Sequence, residues 1–445
     1  MGRKVVKNID ELIEVWKKGV SYIEHDPDEE DLTDFIVYKS GFSNLDIDFE
    51  LRIPFLKEKL QEVEDYVHSN INPYSFTECN FLKDVYITPS DNAIQFTDNC
   101  IFEKRLFSSG NKNNITFKGC DIKELDFEDA IFGSEENKND KKGKVRFHSC
   151  NLYNVNFRNT TFNSLADFWN STFHNPTTFY KTDFRDITVF SAVTFKENVL
   201  FTYALIDKLM ILRGAFPEKG FDISLAIING NLSLFDFKFS DYNTYSKIHK
   251  DVRATMKKYS GKGAYIKAYE EIYEDAVSYH DLIPIENKRE TYRILKHQLE
   301  GQKNFIDAIL FKVKESKTHL KQSWQQLRHG VHFFNPISNL GISLLNGASS
   351  WFGLSYAQAG LFTVLAATFF FNLTLSHIGS FEFTWDYEQW QWEYFVQFLN
   401  PTHRFDFMKA IDPNPRTWFF IWDFIGRLFV GYGIYQFIQA FRKYK

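Results

Sequence analysis

From Phe157 onward a large apolar residue recurs every eleven positions: Phe157, Phe168, Phe179, Phe190, Phe201, Leu212, Ile223 and Leu234. A second series begins five residues later with Phe162, Phe173, Phe184, Phe195, Ile206, Pro217, Ile228 and Phe239, and only Pro217 breaks its large apolar character. Self-similarity at a fixed period over this many copies marks a solenoid, in which one unit cannot bury its own apolar face and must stack on the next. Upstream the same spacing appears as a plain five-residue step at Phe76 and Phe81, at Phe117, Ile122, Phe127 and Phe132, and at Phe147 and Leu152. The 48 phenylalanines of this 445-residue chain make sense as one flat ring used repeatedly.

Two residues before many of these positions stands a small one: Ala130, Thr160, Ala166, Ser171, Thr177, Thr182, Thr188, Ala204, Ala215 and Ala226. Large and small residues together define one inward-facing surface. A large central apolar residue with a small one at minus two resembles the pentapeptide-repeat family. That resemblance implies a right-handed quadrilateral parallel β-helix in which four five-residue faces make a coil. The alternating steps of five and six over 157–239 depart from it and predict coils of about 22 residues with bulged corners on alternate faces. At about 4.8 Å per coil, residues 76–239 would give about seven coils and a rod of roughly 35 Å. Phe157, Phe162, Phe168, Phe173, Phe179, Phe184, Phe190, Phe195 and Phe201 are the expected core. Cys79, Cys100, Cys120 and Cys150 all fall on the small position, which assigns them to the interior as small hydrophobes. They show no metal-ligand spacing.

The spacing divides the chain into a helical and mixed cap over 1–75, the β-helix over 76–240, a helical connector over 241–334 and a membrane domain over 335–445. The cap contains helices at 9–19 and 54–68 with the acidic stretch Glu24 to Asp34 between them. The charged segment Gly133 to Lys144 lacks a large apolar residue and is expected to loop out of the rod. After Phe239 helical periodicity takes over, with Tyr265, Tyr269, Ile272, Tyr273 and Ala276 on one face. An antiparallel helical pair follows over 287–302 and 304–327. Residues 1–240 carry ten more acids than bases, 241–334 five more bases than acids, and the rest balance. A basic segment before an apolar one suits an anionic cytoplasmic leaflet.

Ala357 to Ile378 is an uncharged stretch long enough for a bilayer's hydrocarbon layer, and Trp418 to Phe441 is a second span interrupted by Asp423 and Arg427. An interfacial helix is expected over 336–355. The basic connector and the tail Arg442-Lys443-Tyr444-Lys445 place both flanks inside. The outer loop 379–416 holds Trp385, Tyr387, Trp390, Trp392, Tyr394 and Phe395, residue types that settle at a membrane surface. The strings Glu290 to His297, Gly301 to Asn304, Asn400 to His403 and Gly431 to Arg442 resemble bacterial membrane-bound pentapeptide-repeat proteins. The resemblance places the chain in a bacterial inner membrane.

Asp423 and Arg427, four apart, share a helix face and can pair. An ionisable residue inside a span is a functional-site hypothesis by default, here an aqueous path between subunits or a bond across an oligomer interface. Snorkelling near the outer surface is the bland reading. Val430-Gly431-Tyr432-Gly433 spells a potassium-channel filter, but too few residues follow for a closing span. The expected role of Gly426, Gly431 and Gly433 is therefore close helix packing. His329 and His332 lack a third ligand, and no enzymatic constellation or cofactor site is present. The expected partners are the lipid bilayer, further copies of the chain in a homo-oligomer, and a protein bound to the β-helix, with nucleic acid not expected. Three functions follow: a sensor or effector whose associated hairpins form or gate an ion path, a passive protein-binding scaffold, or a DNA-mimicking gyrase binder. For the first, the general build resembles membrane effectors of antiphage defence.

Overall fold

The computed structural model describes residues 3–18, 42–61, 74–89, 92–134, 142–238, 241–261, 263–329, 334–378, 392–404, 408 and 412–441. The acidic stretch 24–34, the centre of the 133–144 insertion, Trp385, Tyr387, Trp390, His332, Phe239 and the tail 442–445 lie outside the described residues. The chain forms two compact units, Met1–Thr291 and Tyr292–Lys445.

In the first unit the described strands run in parallel sheets of eleven, nine, six and three strands stacked along the coil faces, the eleven-stranded sheet taking in two successive faces in the coils up to Asn156. Thr161 pairs with Asp183, Thr172 with Thr194, Thr177 with Val199 and Thr188 with Met210, so the coil repeats every 22 residues. Pairing begins well before Phe76: Lys4–Val6 lies beside Leu45–Ile47, and Phe42 pairs with Phe76. Helices α1 (Ile9–Lys18) and α2 (Ile53–Gln61) interrupt these first coils.

Each face sends one column of side chains inward. Phe42, Phe76, Phe96, Phe117, Phe147, Phe168 and Phe190 form the longest column, with ring centroids 4.7–5.4 Å apart and planes within 19°. Phe132, Phe162 and Phe184 make a second, and Phe157, Phe179 and Phe201 a third, at 4.9–5.5 Å. Phe173 stacks on Phe195 at 4.9 Å in a fourth. Rings of different columns meet edge-on, as at Phe157–Phe168 (5.8 Å, 81°), the arrangement an aromatic quadrupole favours. All nine phenylalanines singled out from the sequence are at most 1 % exposed.

The five- and six-residue steps have different corners. Between Phe168 and Phe173 the chain makes a β-turn, with Ser171 N donating to Phe168 O at 3.2 Å and Asn170 in the left-handed region at φ 57°. Asn159, Lys181, Ala192 and Tyr203 occupy the equivalent place at φ 51–57°. The six-residue step from Phe162 to Phe168 runs instead through bends at Asn163 and Ser164, where the extra residue is taken up.

The small position does more than leave space. Thr160 Oγ1 donates to Phe127 O and Thr182 Oγ1 to Phe157 O, both at 2.7 Å, each reaching one coil back. The thiols of Cys100 and Cys120 make the same contact with Phe76 O and Phe96 O at 3.4 and 3.3 Å. Ser171 Oγ goes further: it donates to Phe147 O at 2.8 Å and accepts from Cys150 N at 3.0 Å, inserting itself into the turn of the preceding coil. A buried corner carbonyl left without a donor would cost about 1–3 kcal/mol, so this position selects short side chains that can donate or methyls that fit. All four cysteines are free and buried, and desolvation pushes the Cys120 thiol up.

Where the insertion leaves the rod, Gly133 and Gly143 both have φ 80°, and a Cβ on Gly143 would lie 2.1 Å from Gly133 Cα. Side chains cannot enter that pinch. The coil step here is 30 residues, yet Phe117 still pairs with Phe147 and Phe132 with Phe162.

Helices α3 (Ile248–Thr255) and α4 (Ala264–Tyr279) pack together through Ile248, Val252 and Ala268. They do not extend the rod; the end of α4 lies along its three-strand face. Arg158 Nη1 donates to Ser278 O (2.9 Å), Thr202 Oγ1 to Val277 O (3.2 Å) and Tyr203 Oη to Glu274 (2.7 Å). Asp222, 2 % exposed, accepts from Asn287 Nδ2 at 2.8 Å and Thr291 Oγ1 at 3.1 Å, both on α5 (Ile285–Gly301).

The second unit begins within α5 and adds α6 (Phe305–His329), α7 (Phe334–Ser350), α8 (Tyr356–Leu375), α9 (Trp392–Phe398) and α10 (Thr417–Phe441). Among the described residues α8 is the one helix long and apolar enough to cross a membrane. α10, at 25 residues, is longer but carries Asp423, Arg427 and Gln436. The buried stripe of α10, Phe419, Asp423, Gly426, Val430, Gly433, Gln436 and Ala440, repeats every three or four residues and packs on α8.

Candidate functional site

The polar interior of the second unit is its most unusual chemistry. Helical spacing puts Asp423 and Arg427 on one face of α10. Arg427 Nε donates to Asp423 Oδ2 at 3.0 Å, and its Nη2 lies 2.9 Å from the same oxygen. Asp423 is fully enclosed within one copy of the chain. The Arg427 side chain keeps 13 % of its surface exposed.

The other Asp423 oxygen is held by a residue that no spacing in the chain singles out. His403 Nε2 lies 2.7 Å from Asp423 Oδ1, and its side chain is 4 % exposed. The turn Asn400-Pro401-Thr402-His403 aims the ring: Thr402 N donates to Asn400 Oδ1 (3.1 Å), His403 N to Asn400 O (3.1 Å), and Phe398 packs against the imidazole at 5.5 Å. His403 Nδ1 also approaches Asn400 O, at 2.7 Å. A carbonyl oxygen only accepts, and a neutral imidazole has one donor nitrogen.

A second polar group ties α10 to α7. Gln436 Oε1 accepts from Ser350 Oγ at 2.8 Å, while Gln436 Nε2 and Tyr432 Oη both donate to Asn346 Oδ1, at 3.1 and 2.5 Å. Of the three glycines, a Cβ on Gly433 would stand 2.3 Å from Thr363 Oγ1 on α8, and one on Gly426 2.5 Å from Phe398 Cζ and 2.9 Å from Phe370 Cβ. Gly431 faces only Pro401, at 3.7 Å. All three lie inside helical α10, so Val430-Gly431-Tyr432-Gly433 forms no filter-like loop of free carbonyls.

Outside, the polarity is reversed. Leu361, Val364, Leu365 and Phe369 of α8 and Phe424, Leu428 and Ile438 of α10 are 47–60 % exposed. The solenoid shows the ordinary arrangement, apolar within and charged without, with ion pairs linking successive coils at Lys208–Asp186, Lys219–Glu197 and Lys196–Glu218.

Residues 142–183 are pentapeptide repeats. They match the family model "Pentapeptide repeats (9 copies)". The match covers the coils in which the rings of Phe147, Phe157, Phe162 and Phe168 stack on the coil that follows. No curated protein and no solved structure matches the chain. The match is confined to 142–183, and the parallel strand pairing carries the same architecture along the rest of the rod. His403 escaped the sequence because its partner lies 20 residues away and no periodicity connects a turn to a helix.

Proposed function

We propose that the second unit is embedded in a lipid bilayer as a two-span hairpin of α8 and α10, holding the pentapeptide-repeat unit at the cytoplasmic surface of a bacterial inner membrane, where it binds a protein partner. The reversed polarity of the helical unit carries this reading. A water-soluble domain puts its ionic groups outside and its leucines within. Here Asp423, His403, Thr363, Thr374 and Gln436 are inside, while Leu361, Leu365, Phe424 and Leu428 face out. In hydrocarbon, enclosing the polar groups and exposing the apolar ones is the stable arrangement. The basic segment 241–334 sets the orientation.

The recruiting scaffold or sensor is favoured over an ion path. The space between α8, α9 and α10 is filled by Phe370, Phe371, Phe398 and Val430. A path between copies would need polar lining on outer faces that are apolar. The gyrase-binding reading needs unpaired acids along the rod, and those at Asp186, Glu197 and Glu218 are paired with lysines one coil away.

The four native thiols are buried, so introduced cysteines report topology cleanly. An impermeant maleimide applied to intact cells is expected to label N414C, between the two spans, and to spare K257C in the first unit until the membrane is opened. Equal labelling of both before lysis, or release of the chain by alkaline carbonate, refutes the hairpin.

A further inference from the structure

At the turn from α7 into α8, Trp351, Phe352 and Gly353 all have positive φ (50°, 59° and 85°), so the chain reverses within three residues just before the span begins. Two lysines of α6 converge on this reversal. Lys312 Nζ lies 3.7 Å from where a Gly353 Cβ would stand, and Lys317 Nζ sits 4.9 Å from the centre of the Trp351 ring. Lys317 and Trp351 are exposed, Lys312 half-buried. Among the described residues Lys312 has neither an ion pair nor a hydrogen bond. The nearest acid on its own helix, Glu315, is engaged by Lys296 at 2.8 Å. Burial first, and then Lys296, push the Lys312 ammonium down from its ordinary value, and Glu300 and Glu315 offset this only in part.

We propose that Lys312 and Lys317, with the Trp351–Gly353 reversal between them, bind the phosphate of one acidic phospholipid. This rests on the membrane reading, because only an embedded α8 brings the reversal to head-group depth. Two separated ammonium groups suit a single phosphodiester anion, and an indole beside them is the side chain that settles where head group meets acyl chain. The half-buried, unpaired Lys312 distinguishes this from diffuse attraction by a basic surface: it marks one place for one anion.

The test titrates the full chain in mild detergent with dihexanoyl phosphatidylglycerol, dihexanoyl phosphatidylcholine and inorganic phosphate. Tryptophan fluorescence reads binding, and native mass spectrometry counts retained lipids. At about 1 kcal/mol per lysine near an anionic lipid, the double variant K312Q/K317Q is expected to bind phosphatidylglycerol about thirtyfold more weakly. The remote pair K118Q/K181Q removes the same charge and should leave binding unchanged. Equal losses in the two double variants, or no loss in K312Q/K317Q, overturn the site. Competition by inorganic phosphate as strong as that of the lipid overturns the lipid as its source. Flotation with vesicles of phosphatidylcholine alone, and of phosphatidylcholine with phosphatidylglycerol, separates the two levels: a chain that floats but shows no phosphatidylglycerol preference refutes the lipid site alone. A chain that floats with vesicles of neither composition refutes the membrane reading.

Discussion

Replacing Phe168 by alanine opens a hole inside the longest ring column, where Phe168 stacks 5.4 Å from Phe147 on one side and 4.9 Å from Phe190 on the other. The ring is fully buried and also meets Phe157 and Phe179 edge-on. Truncating a buried Phe costs about 3–5 kcal/mol in transfer and cavity terms, and backbone hydrogen bonds to both neighbouring coils leave little room for collapse. The value expected is therefore near the top of that range. Because a solenoid unit interacts mainly with its neighbours, the loss should be local. In hydrogen-exchange mass spectrometry the amides of 145–148 and 188–190 should exchange roughly a thousandfold faster, following about tenfold per 1.4 kcal/mol. Those of 42–47 should change little. F168L keeps most of the apolar volume and is expected to cost about a third as much. A uniform loss of protection along the whole rod, or a cost of F168A below about 1 kcal/mol, would refute the stacked-column account.

Three further outcomes are expected. Ala192 occupies a left-handed corner at φ 57°, so A192G should raise stability by about 1 kcal/mol, while the same change at Ala204, outside the left-handed region, should lower it; urea melts of the two variants decide. G433V should separate α8 from α10 because its side chain would overlap Thr363, whereas G431A should be tolerated; thermal stability in detergent distinguishes them. A double-mutant cycle on H403A and D423A should give a coupling of at least about 2 kcal/mol, since each single change strands a buried polar partner, and additive effects would rule out the buried His403–Asp423 contact.

The solenoid was legible because its physics is local and periodic. One stacking rule repeated at Phe157, Phe168, Phe179 and Phe190 writes itself into the spacing, and even the 22-residue coil follows from the five and six steps. The donor role of the small position was not legible, because Ala204 and Thr182 satisfy the same volume and only coordinates show which carbonyl a hydroxyl reaches. The docking of α4 and α5 beside the rod was hidden for the same reason: Asp222 reads as a surface acid until Asn287 and Thr291 close over it. In the second unit the Asp423–Arg427 pair was readable from helical geometry, while His403 depends on how a turn folds back onto α10.

The pinch at Gly133 and Gly143 gives the rod a modular seam. Because the strand register is the same on both sides of the step, the number of residues hung from that point does not enter the stacking energy. A foreign domain spliced between these glycines should therefore ride on the repeat unit as a passenger, leaving the ring columns intact and giving a natural place to attach a reporter.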